Sequence, residues 1–197
     1  MFRQLSLIFG SKTKAQEIVL LLRDAKGVVR QGFSEQELYQ VKQFCRKNNI
    51  FLVRSTYKIL FADEGIYSNK GIRISEQDPR PGMYFIYLSK DEQKAWLASY
   101  YELQQDHQKL GLMLGYPQCC VEYFSKSFDP QRTNLELSSQ NPYTNLSKRG
   151  QDVVILSHFP CRSDCQESIR LGERYLQPIR AFDQERAREL LTALQVK

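Results

Sequence analysis

The chain has 197 residues, of which 42% are hydrophobic and 25% charged, enough to bury a core as one domain or two small ones without covalent staples. Its 28 basic residues outnumber 22 acidic ones for a formal charge of +6. That excess is mild and diffuse, with 17 basic against 12 acidic residues up to Leu114 and 11 against 10 beyond it. The aliphatic run Ile18 to Leu22 is far too short to cross a bilayer, so no membrane association is expected. Five cysteines, an odd count, and no apolar leader suit a soluble protein of a reducing cytoplasm, whose thiols bind metal or react more often than they form structural disulfides.

In chain order, Lys14 to Asp24 reads as a helix. Ser34-Glu35-Gln36-Glu37 is a capping box that opens a second helix, and Leu38, Val41 and Cys45 share one face of it, which makes Cys45 a core residue. Ile50 to Ala62 carries β-branched and aromatic side chains in two short strands, Gly65 to Gly71 reads as a turn, and Met83 to Leu88 follows Pro79 and Pro81 as another strand. Lys42, Arg46, Lys47, Arg54 and Lys58 make a candidate basic patch around this helix and strand. A solvated face is the plainer reading, and no nucleic-acid-binding motif accompanies the charge.

Ser89-Lys90-Asp91-Glu92 is a second capping box. From it Trp96, Tyr100, Leu103, His107, Leu110 and Leu114 recur at alternating spacings of four and three, which predicts one long helix ending at a left-handed Gly115. The polar stretch from Asp129 to Gly150 reads as a long loop or lid, and Val153 to Leu156 as a short buried strand. Ser163 to Tyr175 is helical, Pro178 breaks it, and a last helix lines up Ala187, Leu190, Leu191 and Leu194. The fold class is therefore α+β: a small β-sheet backed by helices over residues 1–88, then a mainly helical cysteine-motif portion over 89–197, the two packed as one unit.

Four of the five cysteines fall in two motifs, Gly115-Tyr116-Pro117-Gln118-Cys119-Cys120 and His158-Phe159-Pro160-Cys161-Arg162-Ser163-Asp164-Cys165. Pro117 suits the first helical position, where its missing N–H has no intrahelical partner, and so puts Cys119 and Cys120 at a helix start. Ser163 and Gln166 make a further capping box that places Cys165 in a first turn and Cys161 in the turn before it. Exposed N–H groups and the positive dipole end favour thiolates there, and thiolates bind metals. Adjacent helical residues diverge by about 100°, which argues against Cys119 and Cys120 sharing one zinc and favours an iron–sulfur cluster, in which each thiolate takes a different iron. A zinc site would take His158, Cys161, Cys165 and one of the first pair. His107, on the apolar stripe, is more simply a core histidine. Tyr116, Tyr123, Phe124 and Phe159 would shield the site, and Glu122 and Asp164 are nearby carboxylates, plainly read as solvated helix-start acids.

The stretch from Leu110 to Phe124, followed by Ser157 to Cys165, resembles an uncharacterised family of archaeal and bacterial proteins with a Gly-Tyr-Pro-x-Cys-Cys motif and a later His-x-Pro-Cys-x-x-x-Cys motif. The likeness covers Lys90 to Leu176. It implies that Cys119, Cys120, His158, Cys161 and Cys165 belong together, and it leaves the reaction open. The expected function is a cytoplasmic metal- or iron–sulfur-binding protein, an enzyme or sulfur-handling accessory for a small-molecule or RNA-linked substrate. The alternatives are a metal-free thiol redox or persulfide protein and a basic RNA-binding module with a structural metal. Phosphate-cradling glycine loops, a nucleophile elbow and a zinc-protease helix are all missing from the sequence.

Overall fold

A computed structural model describes residues 2–61, 71–127 and 139–195. The expected turn at Gly65 to Gly71 therefore lies outside the described residues, except for Gly71 itself. The architecture is α+β, with helices α1 (Phe2–Phe9), α2 (Lys12–Leu22), α3 (Glu35–Lys47), α4 (Glu92–Leu103), α5 (His107–Met113), α6 (Gln118–Ser127), α7 (Gln166–Phe182) and α8 (Gln184–Leu194). The strands are β1 (Val28–Ser34), β2 (Phe51–Arg54), β3 (Tyr57–Phe61), β4 (Gly71–Ser75) and β5 (Met83–Ser89). Among the described residues no helix is long and apolar enough to cross a membrane.

The chain forms two compact units whose boundaries differ from the expected division at residue 88. One comprises residues 27–61 and 71–115; the other comprises 2–26, 116–127 and 139–195. The first two helices thus group with the cysteine motifs instead of with the sheet, because α2 packs on α7.

In the sheet-containing unit, five antiparallel strands run β1-β5-β3-β4, with β2 also paired to β5. Central β5 pairs along its length with β1, from Val28 opposite Ser89 to Ser34 opposite Met83. Its partners β2 and β3 are interrupted at Ser55, whose hydroxyl accepts the Phe85 N–H at 3.1 Å and keeps that donor satisfied across the gap. The Ser34–Glu37 capping box forms, and Leu38, Val41 and Cys45 are buried as expected. Two members of the candidate basic patch serve the fold instead. Lys58 is buried and donates to the Asp78 and Arg80 carbonyls, and Arg54 pairs with Glu76 over the Tyr84 ring. Lys42, Arg46 and Lys47 are exposed on α3.

The long helix is two helices. Gln105 takes a left-handed φ of 58°, and Asp106 caps α5 by accepting the Lys109 N–H. The helix cap of α4 is Asp91, not Ser89. Its buried residues are Ala95, Ala98 and Glu102, while Trp96, Tyr100 and Leu103 are 59%, 56% and 47% exposed. Small alanines let the helix lie close on the sheet, and Glu102 is held there by Arg30 and Arg73.

In the other unit, Leu20 of α2 and the apolar faces of α7 and α8 build the core around Val153 to Leu156. That segment is buried but is not a strand. Its carbonyl partner is a side chain: the Gln16 amide donates to Val154 and Ile155 at 3.1 and 3.2 Å. Pro178 does not break α7, because Tyr175, Leu176 and Ile179 continue a buried face past it and the helix ends at Asp183. Helix α8 buries Ala187, Leu190 and Leu194 as expected.

Candidate metal centre

Gly115 is left-handed, with φ 78°, and turns the chain into Tyr116-Pro117. The carbonyl of Pro117 accepts from both Cys120 and Val121 N–H at 3.0 Å, so Cys119 and Cys120 stand in the first turn of α6. On the other side, Cys165 is the N-cap of α7 and donates its N–H to Arg162 at 3.2 Å. The cap is therefore Cys165 and not Ser163. The Ser163 carbonyl instead accepts from the hydroxyls of Ser139 and Thr144, both buried. The described part of the expected lid is thus a brace that fixes the cysteine turn.

These two helix starts bring four sulfurs together. Cys119, Cys120, Cys161 and Cys165 place every Sγ within 4.8 Å of the others. The Cys119–Cys120, Cys119–Cys165 and Cys120–Cys165 separations are 3.8, 3.7 and 3.6 Å. Adjacent residues reach one point because helical side chains lean toward the N-terminus, and in a first turn no preceding turn obstructs both from bending over the helix end. Cys120 and Cys165 are buried, Cys161 is half-buried and Cys119 is exposed. Cys45, the fifth, lies in the other unit, and burial pushes its thiol up to about 12.

Burial raises the Cys120 thiol despite the Ser168 hydroxyl and the Cys161 N–H that face its sulfur. Burial, reinforced by Cys165 and Cys119, pushes Cys161 up to about 11. Burial also opposes ionisation of Cys165, but the Ser168 hydroxyl and N–H with the neighbouring thiols outweigh it and bring that group down to about 7. Crowded thiols cannot all ionise unaided, and a cation that binds the cluster must displace protons.

His158 stands outside the four-sulfur group. It is 5% exposed, its Nε2 lies 2.9 Å from Ser168 Oγ, and Ser168 Oγ lies 3.2 Å from Cys120 Sγ. Burial first, then the positive Lys26 and Arg149, lowers its pKa to about 3, so the ring is neutral. Tyr116 lies against it with ring centroids 5.0 Å apart, and its hydroxyl is 3.3 Å from Ser157 Oγ. Phe124 and Phe159 stack at 5.9 Å with an interplanar angle of 6°. Glu122 is exposed and accepts from Gln118 at 2.8 Å, while Asp164 is exposed and pairs with Arg162 at 3.1 Å. Both are solvated helix-start acids. His107 begins α5 in the sheet-containing unit, the break before it having ended the predicted stripe.

Ser168 and Lys26 have no counterpart in the sequence reading. Lys26 has no side-chain exposure, pairs with Glu17 at 2.6 Å and donates to Ser157 at 3.1 Å. The sequence signal for Ser168 is its position three residues after Cys165, one helical turn along the same face.

Comparison with curated proteins and with solved structures gives no match. A family model does match, over a segment that starts in α4, ends in α8 and contains all four clustered cysteines. Residues 97–191 match the model of an uncharacterised domain family described as "Protein of unknown function (DUF483)".

Proposed function

We propose that the chain is a metal-binding protein in which Cys119, Cys120, Cys161 and Cys165 hold one tetrahedral ion, zinc being the best fit. The observation that carries this reading is the sulfur spacing. Four thiolates around one ion at the usual Zn–S length of about 2.3 Å stand roughly 3.8 Å apart; the sulfurs of Cys119, Cys120 and Cys165 are separated by 3.6, 3.7 and 3.8 Å, and that of Cys161 lies within 4.8 Å of each. In an iron–sulfur cluster the four thiolates are shared among two or four irons, and those on different irons are held further apart, so a set with every pair within 4.8 Å favours a single ion over the cluster. Four protein thiolates fill a tetrahedron, the pattern of closed structural sites. The four thiols supply soft donors, and the ion would tie two distant stretches of chain.

The test is elemental analysis of protein purified without oxygen. We expect one zinc per chain and no acid-labile sulfide, with Cys161→Ser losing most of the metal. Iron with stoichiometric sulfide would replace the single ion by a cluster. Neither metal would end the reading and leave the second one, a thiol redox protein, which draws on Cys120 and Cys165 lying 3.6 Å apart, one oxidation from a disulfide.

A further inference from the structure

We infer that His158 and Ser168 form a hydrogen-bond relay ending on the Cys120 sulfur, so that the imidazole acts on the metal site as a positioning residue without being a ligand. The inference rests on the single-ion reading above. Ser168 is fully buried in the first turn of α7. Its one hydroxyl proton lies between His158 Nε2 at 2.9 Å on one side and the cluster sulfurs on the other, Cys120 Sγ at 3.2 Å with Cys165 beside it, and the histidine tautomer decides whether the ring or a sulfur receives it.

With the proton on Nε2, His158 donates to Ser168 Oγ and the hydroxyl donates onward to the sulfur. Two hydrogen bonds form, and only a lone pair on Nδ1 goes unused. With the proton on Nδ1, Nε2 takes the hydroxyl proton, the sulfur loses this donor, and a buried N–H is left without an acceptor, since Nδ1 has no hydrogen-bond partner among the described residues. An orphaned buried donor loses its hydration without compensation, so the first arrangement prevails. The backbone N–H of Cys161 donates to the same sulfur at 3.3 Å. Two donors on one buried sulfur stabilise it as thiolate, fix its direction and withdraw charge from it, as outer partners of metal ligands do.

The chain has only two histidines, so the ring nitrogens of His158 can be assigned in a ¹⁵N-labelled, zinc-loaded sample. We expect the Nε2-protonated tautomer, a result that depends on no variant. Titration against a competing chelator should show Ser168→Ala weakening zinc binding roughly 10- to 100-fold. In the cobalt-substituted protein the same variant should move the thiolate-to-metal charge-transfer band to lower energy. His158→Gln offers an amide N–H near the Nε2 position and should restore most of the affinity and the band, whereas His158→Phe should behave like Ser168→Ala. An Nδ1-protonated ring, or wild-type affinity and spectrum in both Ser168→Ala and His158→Phe, would overturn the relay and leave the metal site standing. A wild-type chain that takes up no metal would overturn both.

Discussion

Lys26 holds a charge with none of its side chain in solvent. Burial by itself would lower its pKa, but Glu17 at 2.6 Å, with Tyr116 and Tyr175, raises it above the ordinary value of 10.5. A group whose folded pKa is raised adds stability in full below its unfolded value and loses it as pH climbs past 10.5 toward the folded one. Lys26→Met would leave Glu17, 6% exposed, as a buried uncompensated charge, at a cost of about 3–5 kcal/mol. Adding Glu17→Gln should recover most of that loss in urea denaturation, and a double variant as unstable as the single one would refute the pairing. Nothing in the local sequence marks this pair, because the turn after α2 makes the contact. The four cysteines were legible since their chemistry sits in two short motifs. His158 was legible as a neighbour of the cysteines, but spacing alone could not separate a member of the sulfur group from a residue that reaches Cys120 through Ser168.

At the level of elements, periodicity identified the helices better than it identified their buried faces. The alternating four-three spacing after Trp96 is real, yet Ala95 and Ala98 face the sheet because small residues permit close approach, and Gln105 and Asp106 end the helix before His107. Strands β1 and β4 went unread: β1 mixes Arg30, Gln31 and Gly32 into its run, and β4 has exposed or half-buried residues throughout. Val153 to Leu156 reads as a strand because it is apolar and β-branched, and only the Gln16 side chain, 138 residues away from Val154, reveals why no ladder is needed. The element that carries Cys165 and Ser168 has its own tight point. A Cβ on Gly172 would stand 2.8 Å from Tyr143 Cδ1 and 2.9 Å from Tyr143 Cβ. Gly172→Ala gains about 1 kcal/mol of helix propensity, but overpacking costs about 1–3 kcal/mol, and the tyrosine Cβ cannot swing away like a side-chain tip. Thermal denaturation should show a net loss of stability, and a variant more stable than the wild type would show that the contact yields.

On the scale of the whole molecule, the two units were illegible because the cysteine-bearing one is assembled from stretches on both sides of the other, and no composition shift separates them. The described chain leaves the cysteine-bearing unit after Lys26 and re-enters it at Tyr116. Within that unit the clustered cysteines lie as much as 46 residues apart in sequence, so an ion held by them would close a long loop. Treated as a cross-link, closure of a loop of that length contributes about 4 kcal/mol by restricting the unfolded chain, and the metal–thiolate bonds add to it. Removing the metal should therefore loosen one unit more than the other. The sheet-containing unit has its own ladder along β5 and its own buried helix faces, and contributes none of the four thiols. Hydrogen exchange on the full chain, with and without a strong chelator, should show lost protection across residues 116–127 and 139–182, with the amides of β1 and β5 unchanged. Uniform deprotection would mean that the two units unfold as one, and protection unchanged everywhere would mean that the ion contributes nothing to folding, leaving the four sulfurs a role in chemistry alone.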